Sequence, residues 1–111
     1  NIQLSVFINP RKKIIEIAKS LGFHAVELHT GPLDREKVNK LDIKKINEMI
    51  NYSYKKNLIV NIGHGLNFNN IKYIKNRKKI DTVHIGHFII SEAIFLSLPK
   101  VIKIFKNLIK L

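Results

Sequence analysis

Four short apolar segments punctuate the chain, and each is followed by residues whose spacing is helical. The first runs from Gln3 to Ile8 and ends at Asn9-Pro10, where Asn9 is placed to cap a helix and Pro10 suits its first turn. Ile14, Ile15, Ile17, Ala18 and Leu21 then form an apolar stripe, and Gly22 stands where a helix stop belongs. The second strand is read over His24 to Leu28, followed by the loop His29-Thr30-Gly31-Pro32. Asp42 is the expected cap of the next helix, in which Ile43, Ile46, Met49, Ile50 and Tyr54 repeat with helical spacing. The third strand spans Leu58 to Ile62, then come Gly63-His64-Gly65 and a shorter helix from about Asn69 to Lys75. The fourth spans Thr82 to Ile85, followed by Gly86-His87 and a short apolar helix to about Leu98. Pro99 opens a last helix carrying Val101, Ile102, Phe105, Leu108 and Ile109.

Strands alternating with helices specify an α/β fold with a parallel sheet. No linker or low-complexity stretch divides residues 1–111, so the chain reads as a single unit. Four βα units are half of an eight-unit TIM barrel, which needs ~250 residues in full. The extra short helix after the last strand fits that half-barrel reading. A small doubly wound open sheet is the competing architecture, and pattern alone does not separate the two. The chain does not begin with Met and opens directly on an apolar segment, so a preceding segment is expected.

Apolar residues make up 45% of the chain, an ordinary globular share that argues against wholesale disorder. No apolar run approaches the ~18 residues of a membrane span, and no secretion signal opens the chain. A cytoplasmic protein is therefore the default expectation. With no cysteine, disulfides and thiolate metal sites are excluded. Lys and Arg number 20 against 8 acidic residues, a net charge of +12 that favours anionic partners. The lysines are scattered among Ile and Asn, the mixture that an AT-rich coding sequence also yields. Basic runs such as Arg11-Lys12-Lys13 and Arg77-Lys78-Lys79 lack the aromatic interleaving of a single-strand binding surface. A solvated lysine face is thus preferred to a nucleic-acid site.

In either architecture ligands bind beyond the carboxyl ends of the strands, and reactive groups concentrate there. Glu27 and His29 close the second strand and, two residues apart, share a face if the strand extends that far. Glu27 suits stabilisation of a cation in a closed pocket, or equally pairing with water or lysine at a strand end. His64 lies between two glycines, a setting that suits a proton-transfer residue better than a packed structural histidine. Gly86-His87 enters a helix whose free N–H groups would hold a phosphate, the alternative being an ordinary tight turn. His24 is read as structural or exposed, and His84 as a packed polar residue. No His-x-x-x-His pattern, carboxylate cluster or nucleotide-binding glycine motif is present, so neither a metal nor a nucleotide is expected.

Four segments, Ser5-Val6-Phe7-Ile8, Val26-Glu27-Leu28-His29-Thr30-Gly31, Val60-Asn61-Ile62-Gly63-His64-Gly65-Leu66-Asn67 and Ile85-Gly86-His87-Phe88-Ile89-Ile90, resemble successive strand-end motifs of the pyridoxine 5′-phosphate synthase family. The resemblance covers essentially the whole chain and corresponds to the C-terminal half of that family's TIM barrel. It implies a vitamin B6 enzyme condensing 1-deoxy-D-xylulose 5-phosphate with 3-amino-2-oxopropyl phosphate to give pyridoxine 5′-phosphate, phosphate and water. By resemblance, Glu27 matches the transition-state-stabilising carboxylate and His64 the proton donor. Gly65, Gly86 and His87 match positions that bind the amino-ketone phosphate. The resemblance also implies no metal, no organic cofactor and a homo-octamer.

Phe68 stands where the family usually has Tyr, Ile62 where it has Ala, and Pro32-Leu33-Asp34 replaces a Tyr-Ala loop. The family's general bases and its deoxyxylulose phosphate site belong to the first half of the barrel, to which no part of this sequence corresponds. A half-barrel leaves open sheet edges, so self-association or completion by an N-terminal segment is expected, and inactivity alone. The rival reading is a noncatalytic basic remnant that binds phosphate or RNA. Another phosphate-handling barrel enzyme with similar glycines is disfavoured by the joint motif match.

Overall fold

The structure is a computed structural model and describes residues 2–110. Strands β1 (Ser5–Ile8), β2 (Ala25–His29), β3 (Ile59–Gly63) and β4 (Thr82–His84) pair in parallel in the order β1-β2-β3-β4. Helix α1 (Lys12–Ser20) joins β1 to β2, and α2 (Lys40–Lys55) joins β2 to β3. Two 3-10 turns, Ile71–Tyr73 and Arg77–Lys79, lie between β3 and β4, and α3 (His87–Leu96) and α4 (Leu98–Ile109) follow. Each strand neighbours the one before it, so the order never turns back. A doubly wound sheet requires such a reversal at its switch point. That alternative is therefore set aside, and the sheet is singly wound.

The register divides the sheet into two chemically different faces. One face carries the row Val6, Val26, Val60 and the row Ile8, Leu28, Ile62, Val83. These aliphatic rows pack with Ile15 and Ala18 of α1 and Ile46 and Ile50 of α2 to form the core. Full burial of a side chain such as Val26, Leu28, Ile46 or Ile62 stabilises the fold by roughly 1.5–3 kcal/mol. The other face carries the row Phe7, Glu27, Asn61, Thr82 and the row His29, Gly63, His84. Among the described residues no helix of the core covers it. β1 and β4 are open edges.

Helix ends follow local chemistry, with some departures from expectation. Gly22 adopts φ +85°, its N–H bonds the Lys19 carbonyl and the Phe23 N–H bonds that of Ala18, which closes α1 in a left-handed cap. Asn57, at φ 57°, ends α2 in the same way. Asn9 does not cap α1 and Pro10 is not in its first turn. The Arg11 N–H turns back onto the Asn9 carbonyl (2.8 Å), so Arg11 occupies the cap and Lys12 is the first helical residue. Asn39, not Asp42, caps α2 by accepting the Leu41 N–H at 2.9 Å. Asp42 sits in the first turn, 3.7 Å from Arg35.

The helix expected from Asn69 to Lys75 shrinks to the 3-10 turn Ile71–Tyr73. Asparagine side chains compete for its backbone. Asn67 Oδ1 accepts the N–H groups of Asn69 and Asn70, while Asn47 of α2 accepts the Lys75 N–H and donates to the Tyr73 carbonyl.

Helix α3 is mostly apolar and has no single apolar face, and its Ile90, Ile94 and Phe95 are exposed. Its first turn is anchored by Phe88, whose ring meets Phe68 and Phe105 edge-on at 4.9 and 5.7 Å. Phe68 also packs on Phe105 at 4.7 Å, so these three rings fasten the loop after β3 to both C-terminal helices.

Candidate active site

The carboxyl ends of β2, β3 and β4 and the start of α3 enclose a cleft of about 950 Å³. Glu27, His64, Gly65, Gly86 and His87, the residues singled out from sequence, all line it. Its wall is completed by residues including Phe7, Asp34, His84 and Phe88.

Glu27 projects from the open face of β2 and crosses above Gly63 of β3. A Cβ at Gly63 would collide with Glu27 Oε1 and press on His84 Cβ at 3.0 Å. Gly63 is thus the slot in which the carboxylate rests. On the far side of the slot, His84 Nε2 stands 3.9 Å from Glu27 Oε2. His84 is about half exposed and faces the cleft, which corrects its reading as a packed residue. Strand alternation would have placed it there, since Thr82 and His84 share the face opposite Val83.

His64 holds a left-handed backbone, φ 78°, and Gly65 follows at φ +69°. Such a conformation disfavours an ordinary side chain by roughly 1–2 kcal/mol and needs an external tie. Thr30 supplies it. The fully buried Thr30 hydroxyl lies 2.6 Å from the Gly63 carbonyl and 2.7 Å from that of His64, and its N–H donates to Gly63 at 2.8 Å. At Gly65 a Cβ would lie 2.8 Å from Asp34 Cβ, so crowding adds to the backbone requirement. Asn70, also buried, donates to the carbonyls of Gly65 (2.7 Å) and Leu33 (3.2 Å) and so pins both loops. Thr30 and Asn70 were not singled out from sequence, because a small polar residue in a loop carries no mark of its tertiary partner.

His29 completes strand β2 on the same face as Glu27, as the two-residue spacing predicted. Its Nδ1 accepts the Gly31 N–H at 2.8 Å, its ring stacks on Phe7 at 5.2 Å, and it meets His64 edge-on at 4.7 Å. Burial, and secondarily the nearby His64 imidazole, hold its pKa below the ordinary histidine value. His24 lies at the opposite end of the strand, exposed, and accepts the Leu4 N–H at 3.1 Å.

Gly86 precedes α3, whose first-turn N–H groups have no intrahelical acceptor and no side-chain cap. A Cβ at Gly86 would meet nothing within 4 Å, so no neighbouring atom among the described residues demands glycine there.

The family model for pyridoxal phosphate biosynthesis protein PdxJ matches residues 1–111. The chain belongs to the PdxJ family. Among curated relatives, the pyridoxine 5′-phosphate synthase of Blochmanniella pennsylvanica is 39% identical, over 98% of this chain and 46% of its own length. Those of Thermodesulfovibrio yellowstonii and Prochlorococcus marinus (strain MIT 9215) are each 38% identical over 98% of this chain, covering 46% and 47% of their own lengths. The chain thus spans about half the length of the PdxJ relatives it matches. Membership supports a role in vitamin B6 biosynthesis. Among the described residues no helix is long and apolar enough to cross a membrane.

Proposed function

We propose that this chain is the C-terminal half of a (β/α)8-barrel pyridoxine 5′-phosphate synthase, a single unit over residues 1–111 that carries one side of the active site. The observation that carries this reading is the convergence of Glu27, His64, Gly65, Gly86 and His87 on one cleft at the carboxyl ends of the strands. The open edges β1 and β4, the polar open face and the exposed apolar surface of α3 support completion by a second half.

In the completed site, 1-deoxy-D-xylulose 5-phosphate condenses with 3-amino-2-oxopropyl phosphate. The Glu27 carboxylate, fixed in the Gly63 slot, stabilises the imine-like cations formed on the way to the ring. His64 delivers a proton to the departing water or phosphate oxygen. The amino-ketone phosphate sits against the free N–H groups at the start of α3, with Gly65, Gly86 and His87 around it. General bases and the second phosphate site come from the other half. The intact enzyme is a cytoplasmic homo-octamer that uses no metal or organic cofactor.

The test is formation of pyridoxine 5′-phosphate from the two substrates, by this chain alone and with the N-terminal half of a relative supplied. Product only on complementation is the expected result. Absence of product, with the halves shown to associate, overturns the reading.

A further inference from the structure

His29 lies behind His64 and outside the lining of the cleft, so the proposed chemistry leaves it without a task. Its surroundings are nevertheless built around it. Gly31 donates its N–H to Nδ1, and a Cβ at Gly31 would collide with the His29 ring and crowd His64 Cδ2 at 3.1 Å. One glycine therefore makes room for both rings. On the other side Phe7 stacks on His29 and also borders His64, its ring centroid 6.5 Å away.

A ring nitrogen that accepts a hydrogen bond carries no proton, so the Gly31 N–H selects the neutral His29 tautomer with its proton on Nε2. Protonating Nδ1 would break that bond and set two N–H groups against each other. It would also place a cation beside the His64 imidazole. The lowered pKa of His29 follows the same direction. The ionisable groups that line the cleft with His64 are Glu27 on β2, Asp34 in the loop after β2, His84 on β4 and His87 of α3, and His84 Nε2 lies 3.9 Å from Glu27 Oε2. β1 contributes only the apolar ring of Phe7.

We propose that His29 is a positioning residue: it remains neutral, holds the His64 ring in one orientation, and leaves His64 as the member of the pair that carries the proton. Thr30 fixes the His64 backbone and His29 fixes its ring, so consecutive residues of one strand end serve one side chain. The assignment rests on the role given to His64 above, but its test needs no substrate and fails or succeeds independently of product formation.

The experiment is nitrogen-detected NMR of the histidine rings in this chain, followed through a pH titration. The expected result is a neutral His29, protonated on Nε2, throughout the range in which His64 takes up its proton. In His29→Asn the side-chain oxygen still accepts the Gly31 N–H, so the loop is kept while the ring is lost. Nuclear Overhauser contacts from the His64 ring to Phe7 should then fall at least two-fold with the backbone amide spectrum preserved. His29→Phe, which keeps a ring at the position, should retain those contacts. Protonation of His29 at or above the pH at which His64 protonates would overturn the proposal. So would unchanged His64 contacts in a folded His29→Asn chain.

Discussion

The Glu27 carboxylate rests in space that any side chain at residue 63 would fill, with Gly63 beneath it and His84 3.9 Å beyond. Because the φ of Gly63 is not left-handed, the need for glycine there is purely steric. Gly63→Ala should cost roughly 1–3 kcal/mol in urea unfolding, the usual range for overpacking. Adding Glu27→Ala should recover the part of that loss due to the carboxylate and leave the contact with His84 Cβ, giving a coupling of about 1 kcal/mol in a double-mutant cycle. Additive losses would show that the two residues do not share the slot.

Removing the carboxylate charge addresses the chemistry separately. In a complemented enzyme, Glu27→Gln or His64→Gln should lower kcat by about 100-fold or more with a smaller change in KM, as for interactions made mainly in the transition state. Full turnover in either variant would remove that residue from the mechanism.

Stability should respond to pH through His29. Its pKa is lowered in the folded chain, so near neutral pH both folded and unfolded forms are uncharged there and the contribution is complete. As pH falls below the unfolded value of ~6.5, the unfolded chain takes up a proton first, and stability declines toward the folded pKa. Urea midpoints between pH 7.5 and 5 should drop more steeply for the wild-type chain than for His29→Asn. Parallel curves would show that His29 is not a source of the decline.

Thr30→Val keeps the shape of a buried side chain and removes its hydroxyl. The His64 carbonyl then loses the donor 2.7 Å away, at a cost of roughly 1–3 kcal/mol. The left-handed turn at His64 should loosen with it, seen as faster amide exchange at Gly65 and Leu66 than elsewhere.

Ser53 presents the opposite case. Its hydroxyl is buried in α2 without a hydrogen-bond partner among the described residues. Ser53→Ala removes that unsatisfied group and improves helix propensity, so the chain should gain about 1 kcal/mol in the same unfolding assay.

The four strands and the helices α1 to α4 were legible because each apolar run ends in a glycine, asparagine or proline signal. The strand-end residues followed from the same reading, since in parallel sheets function gathers at carboxyl ends. The open face was harder to see. Phe7, Ala25 and Ile59 lie on it, so the alternation with Glu27, Asn61 and His84 is masked by apolar residues on both sides of the strands. For that reason His84 read as packed. The helix expected after residue 69 failed because Asn47, distant in sequence, takes the Lys75 N–H. Thr30 and Asn70 depend on carbonyls 33 to 37 residues away, or on neighbours whose orientation the loops decide.

Every strand in this sheet pairs with the strand immediately before it. The topology therefore allows incremental assembly: each βα unit, once made, can serve as the template for the next, and none of the four strands needs a later partner inserted between it and its predecessor. Such an order keeps loop closures short and lets the sheet grow from β1 to β4 in the direction of synthesis. In that order the cleft is finished last, when β4 and α3 bring His84 and His87 to the carboxylate and imidazole already in place.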